Sequence, residues 1–194
     1  MRSRLACERG YSLFELLVTM VILTIVVTGL TTTFVSASRA QVDMNRRFQA
    51  QEQGRLALNQ LRRELHCASA VTDVSGVALA STSTYSAIRI AVPSYCKTAT
   101  ATGFATWCTA GSGPWALYRV DHAVTSCSSG TGARKVADYL TTQQPFSQPV
   151  PQAGVGTQLP TLHVALSVNI KGTGSAAGTS TLTDDIALRN AARV

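Results

Sequence analysis

Carboxylates, aromatics and metal-ligand patterns are all sparse in this chain, and each shortage narrows what it can do. Ten Asp and Glu are spread over 194 residues, against seventeen Lys and Arg. Charged residues make up 14% and aromatics 6%, so a catalytic reading has few groups to draw on. The three histidines, His66, His122 and His163, are scattered; His66-Cys67 lacks zinc-type spacing, and neither C-x-x-C nor H-x-x-x-H occurs. Asp121-His122 with a serine becomes a triad only through geometry, and solvated or locally bonded histidines are the commoner arrangement. Gly130-Thr131-Gly132-Ala133-Arg134-Lys135 lacks G-x-x-x-x-G-K-S/T and reads as a turn rather than a phosphate loop. The reading therefore contains no enzyme, no metal site and no cofactor.

Charge is missing altogether from Leu16 through Ser38. A helix of about 20 apolar residues crosses a bilayer core of about 30 Å, so this segment is long enough to span. Glu15 stands at its start. A carboxylate within a membrane helix costs on the order of 2.5–3.5 kcal/mol at the centre, which makes it a functional residue by default.

Its partner follows from what precedes the run. Met1 to Gly10 is short and basic, with Arg2, Arg4 and Arg9 against Glu8. A secretory signal is cut after its apolar core, whereas here the Gly10–Tyr11 junction lies before it. Cutting that bond would give Tyr11 a free α-amine, protonated near neutral pH. Glu15 sits one helical turn further on, and an amine–carboxylate pair at low dielectric is far stronger than in water. A lipoprotein reading of Leu5-Ala6-Cys7 fails, because Arg4 occupies the place three before Cys7 and the apolar core follows the cysteine.

The stretch Gly10-Tyr11-Ser12-Leu13-Phe14-Glu15-Leu16-Leu17-Val18 resembles the prepilin signal of type IV pilins and type II secretion pseudopilins. The resemblance covers roughly the first fifth of the chain and departs from the usual pattern in having Tyr11 where Phe is common. It implies cutting after Gly10 by prepilin peptidase, N-methylation of Tyr11, and pairing of Glu15 with a neighbouring subunit's amine during assembly. It further implies other pilin or pseudopilin subunits, an inner-membrane assembly platform and membrane lipid as partners. Loosening of the stem helix midway is another family trait, and Thr28–Thr33 is its candidate here.

Five cysteines are present, and Cys7 falls in the leader. Cys67, Cys96, Cys108 and Cys127 remain as disulfide candidates, with three ways of forming two bridges. Bridges persist in oxidising compartments. Arginines on both sides of the run leave the positive-inside bias weak. Cysteine usage and the prepilin resemblance decide for a single-pass inner-membrane protein with its N-terminus inside and its head outside.

The expected organisation is a leader over 1–10, a transmembrane and filament-core helix over 11–38, an amphipathic stem helix over 39–68, and an antiparallel β head over 69–194. The fold class is α+β, one long N-terminal helix packed on a sheet. At 1.5 Å per residue, Tyr11 to Ala68 makes a rod of about 87 Å. In the stem, Met44 and Phe48, then Leu58, Leu61 and Leu65, form an apolar stripe with Gln51 and Gly54 between. In the head, Ile88, Ile90 and Val92 alternate with Ala87, Arg89 and Ala91. Phe104–Cys108 and Trp115–Val120 flank Gly111-Ser112-Gly113-Pro114 as a hairpin, with Trp107 and Trp115 across its loop. Leu162, Val164, Leu166, Val168 and Ile170 alternate with Thr161, His163, Ala165, Ser167 and Asn169, giving one buried and one wet face. A last strand covers about Ser180 to Leu188. Thr141 to Pro160 carries four prolines and is expected to be an exposed loop, and Lys171 to Thr179 a connector.

The head and its ending Asp185-Ile186-Ala187-Leu188-Arg189-Asn190 resemble minor pilins and J-type minor pseudopilins, which implies a place near the filament tip and a role in priming assembly. Loss of the leader's three Arg and one Glu leaves 14 basic against 9 acidic side chains, a balance of +5. That balance and the two tryptophans permit a second class, a tip binding module contacting DNA, a surface or a secretion substrate, although a solvated helix face is the commoner account of such charge. A third class is an anchored head with no filament role, which predicts an uncut leader.

Overall fold

The computed structural model describes residues 12–125, 127, 132–148, 159–170 and 178–191. Among these residues one helix, α1, runs Leu13–Cys67. The chain forms two compact units, Met1–Met44 and Asn45–Val194.

In the first unit the apolar side chains of α1 are exposed from Leu13 to Val42. The helix is long and apolar enough, by length and composition, to cross a membrane. Its threonines do not break it. Thr24, Thr28 and Thr32 donate their hydroxyls to the carbonyls of Val21, Thr24 and Gly29, at 2.7–2.9 Å. A hydroxyl satisfied within its own helix is not left bare in an apolar medium, and Thr28–Thr33 is helical in the single chain.

In the second unit α1 buries Ala50, Gly54, Ala57, Leu58, Leu61, Glu64 and Leu65. Met44 and Phe48 are 70% and 68% exposed, so the packed stripe does not pass through them as expected. At about 100° per residue, Phe48 points about 200° away from Ala50. Small residues, Ala50, Gly54 and Ala57, make the upper part of the contact. A Cβ on Gly54 would stand 2.9 Å from Leu182 Cδ1, so the Leu182 side chain packs directly on the helix backbone at Gly54.

Among the described residues nine strands follow: β1 Ala70–Thr72, β2 Thr84–Tyr85, β3 Ala87–Ala91, β4 Phe104–Ala110, β5 Trp115–Val120, β6 Arg134–Leu140, β7 Phe146–Ser147, β8 Thr161–Val168 and β9 Ser180–Ala187. All pair antiparallel, in the order β1-β3-β4-β5-β6-β8-β7-β2, with β9 on β8. The expected β4–β5 hairpin is formed, and Leu162, Val164, Leu166 and Val168 are buried while His163, Ala165 and Ser167 are half-exposed. That alternation ends at Asn169, which is buried where the pattern assigns it to the wet face, while Ile170 is half-exposed.

Two stretches read as turn or loop contain strand. Arg134 and Lys135 open β6 rather than close a turn, and Gly130 and Thr131 lie outside the described residues. Within Thr141–Pro160, β7 buries Phe146 completely against β8; residues 149–158 lie outside the described residues, as do 171–177 of the connector. Tyr139 has φ 61° at a register shift in the β5–β6 pairing, between Ala137, opposite Leu117, and Leu140, which pairs with both Trp115 on β5 and Val168 on β8. The left-handed conformation costs a non-glycine residue roughly 1–2 kcal/mol. Hydrogen bonds hold it: Tyr139 N donates to Asp138 Oδ1 at 2.9 Å, and its carbonyl accepts from Asn169 N at 2.8 Å.

Candidate functional site

Glu15 lies in the first turn of α1, where Leu16 N donates to Ser12 O at 3.1 Å. A carboxylate there meets the positive end of the helix dipole. From Ser12 to Ser38 it is the one formal charge, set among exposed Leu13, Phe14, Leu16 and Leu17. Gly10 and Tyr11 lie outside the described residues.

In the head, the sequence candidates for chemistry do not converge. His66 Nδ1 is 3.2 Å from Ala187 O, and His163 Nδ1 is 2.6 Å from Asp185 Oδ1 across β8 and β9. Asp121 is taken by the guanidinium of Arg119, while the His122 carbonyl accepts from Thr106 Oγ1 at 2.7 Å. Among the described residues no group of three His, Cys, Asp or Glu could hold a metal ion. Trp107 and Trp115 do not together offer a surface on which a base could stack. Trp107 stands opposite Arg119 and is fully buried, and Trp115 stands opposite Leu140.

What the sequence reading missed is the setting of Glu64, which is 0% exposed on the sheet-facing side of α1. Arg119 Nε donates to its Oε1 at 2.6 Å, Trp107 Nε1 to its Oε2 at 2.7 Å, and Gln60 Nε2 to its Oε1 at 3.2 Å. A buried carboxylate is tolerated when cation and donors meet its lone pairs. The available signal was positional: Glu64 continues the spacing of Ala57 and Leu61, an acid on an apolar face.

The cysteines are paired Cys67–Cys96 and Cys108–Cys127, each with Cα atoms 6.0 Å apart. The first ties the end of α1 to the turn after β3; the second ties β4 to the segment after β5.

Residues 5–31 match the family model described as the prokaryotic N-terminal methylation motif. That motif is the mark of the type IV pilin and pseudopilin family. The match spans Gly10, Tyr11 and Glu15, and the pilin-type helix continues from it into a head of antiparallel strands. No curated protein and no solved structure matches the chain. The type IV pilin and pseudopilin family is structural rather than enzymatic, and its members are processed by prepilin peptidase and assemble with other pilin subunits.

Proposed function

We propose that the chain is a minor subunit of a type IV pilus or a type II secretion-like pseudopilus, placed near the filament tip where it primes assembly. Prepilin peptidase removes residues 1–10 by cutting between Gly10 and Tyr11, and the amine of Tyr11 is then methylated. Residues 11–38 form the membrane and filament-core helix, 39–68 the stem and 69–194 the head. The protein waits in the inner membrane, N-terminus inside, held in lipid and delivered to the assembly platform. Glu15 then draws it into the filament by pairing with a neighbour's N-terminal amine.

The observation that carries this reading is the methylation motif over residues 5–31, with Glu15 the single formal charge in the exposed apolar stretch from Ser12 to Ser38. The two disulfides fit a head in an oxidising compartment. DNA contact through the two tryptophans loses its support, since Trp107 is buried.

Intact mass and N-terminal sequencing of the native protein test the reading. A mature chain beginning at Tyr11 with one added methyl group is expected, and a chain that still begins at Met1 overturns it. Replacing Gly10 leaves an uncut precursor. Glu15→Ala is expected to be cut normally yet to enter filaments poorly.

A further inference from the structure

We propose that the buried Glu64–Arg119–Trp107 cluster directs cysteine pairing, by holding α1 in the one register that brings Cys67 to Cys96. Cys67 is the last residue of α1, three after Glu64, and Cys96 is buried in a turn closed by Cys96 N donating to Pro93 O at 3.0 Å. Trp107 immediately precedes Cys108 on β4. Neighbouring residues of a strand point to opposite faces. Committing the Trp107 indole to Glu64, on the helix side, therefore turns Cys108 to the other face, away from Cys67 and towards Cys127.

Apolar contact alone selects this register weakly. Ala50, Gly54, Ala57, Leu61 and Leu65 recur every three or four residues, so a slip of one turn sets small on small among the first three and leucine on leucine between the last two, with a mismatch only where Leu61 meets the place of Ala57. Such a slip moves Cys67 by about 5.4 Å. A bridge needs Cα atoms within roughly 7 Å, so displacement on that scale breaks the 6.0 Å spacing. The same slip strips Glu64 of Arg119 and Trp107, leaving a buried charge uncompensated. The polar cluster therefore rejects registers that the apolar face opposes at one step only.

Pairing itself is thiol–disulfide exchange. One cysteine thiolate attacks a small-molecule disulfide, such as oxidised glutathione, and releases one thiol. The second cysteine attacks the mixed disulfide and releases another. Two protein thiols become one bridge, and one external disulfide becomes two thiols.

The test uses the full chain carrying Cys7→Ser, so that four thiols remain, reduced, denatured and refolded in detergent with a glutathione redox buffer. Bridges are trapped by alkylation and mapped by peptide mass spectrometry. The parent should give Cys67–Cys96 and Cys108–Cys127 as the main product. Replacing a buried ion pair by apolar residues of similar size is often neutral for stability. The triple variant Glu64→Leu, Trp107→Phe, Arg119→Met is therefore expected to fold, with its share of native pairing falling towards the roughly one third given by random choice among three pairings. Leu61→Ala, which weakens the core without touching the cluster, should keep the native pairing. Native pairing by the triple variant at the parent's share overturns the proposal, as does Leu61→Ala scrambling to the same extent as the triple variant.

Discussion

Trp107 Nε1 and Glu64 Oε2 lie 2.7 Å apart across the helix–sheet interface, with both residues 0% exposed. The single variants should separate sharply by what each leaves behind. Trp107→Phe keeps most of the packing but removes one donor from a buried carboxylate, at a cost of about 1–3 kcal/mol. Arg119→Met leaves that carboxylate without its cation, at a cost of about 3–5 kcal/mol. Urea unfolding of the full chain in detergent, followed by near-ultraviolet circular dichroism, should rank parent, Trp107→Phe and Arg119→Met in descending stability. Equal stability for the two variants would contradict a dominant role for the charge pair.

Gly54 presents the opposite case, a contact made by having no side chain. A methyl group there would stand 2.9 Å from Leu182 Cδ1, the far end of a flexible side chain on β9. Alanine also favours the helix by about 1 kcal/mol over glycine. Gly54→Ala is therefore expected to fall within about 1 kcal/mol of the parent in the same urea assay. Gly54→Leu cannot be absorbed by one rotamer and should cost about 1–3 kcal/mol as an overpacked contact. Accelerated hydrogen exchange confined to β8 and β9 in Gly54→Leu would localise the damage.

The parts of the fold that could be read from the chain are those with a clean period. Leu162 to Val168 alternate over four buried positions, and the strands either side of Gly111–Pro114 pair as their composition suggests. Shorter elements carry no period to read: β1 and β7, of three and two residues, form on the edges of the longer β3 and β8, and the two-residue β2 forms in turn on β7. In the stem, large side chains misled, since Met44 and Phe48 face outward while Ala50 and Gly54 make the contact. Glu64 was illegible for a related reason. A charged residue is ordinarily assigned to water, and its two main partners, Trp107 and Arg119, lie 43 and 55 residues away. The N-terminal signal needs no tertiary contact at all, so it was complete in the sequence.

Lys135 gives a pH-dependent contribution whose sign follows from its partner. Its Nζ donates to Asp138 Oδ2 at 2.7 Å, and this hydrogen bond, then the carboxylate's charge, raise the lysine above its ordinary value of 10.5. Tyr118, opposite it on β5, and Tyr139 raise it slightly further, while desolvation acts the other way. A folded-state value above the unfolded one means stability that is present in full below the ordinary lysine value and is lost as pH rises through the raised one. The Lys135 side chain is 52% exposed, so solvent screening keeps the effect small. Lys135→Met should unfold at slightly lower temperature than the parent at pH 8. The gap should close as the pH climbs past the ordinary lysine range, and a gap that widened there would have the wrong sign.

Cys67 and Cys96 join the end of α1 to the sheet across 29 residues of sequence. Loops of this length lose closure entropy when bridged, and removing such a bridge from a small extracellular domain typically costs about 2–5 kcal/mol. In the double variant Cys67→Ser, Cys96→Ser, Asn190 Nδ2 still donates to the carbonyl of residue 67, at 3.0 Å in the parent. Leu61, Leu65 and Ala68 also remain buried against the sheet. The helix end is therefore expected to stay docked but to open more often. Hydrogen exchange should show loss of protection concentrated in the last two turns of α1 and in β3, with protection of β8 unchanged. Uniform loss across the head would mean that the bridge stabilises the whole unit rather than the junction it spans.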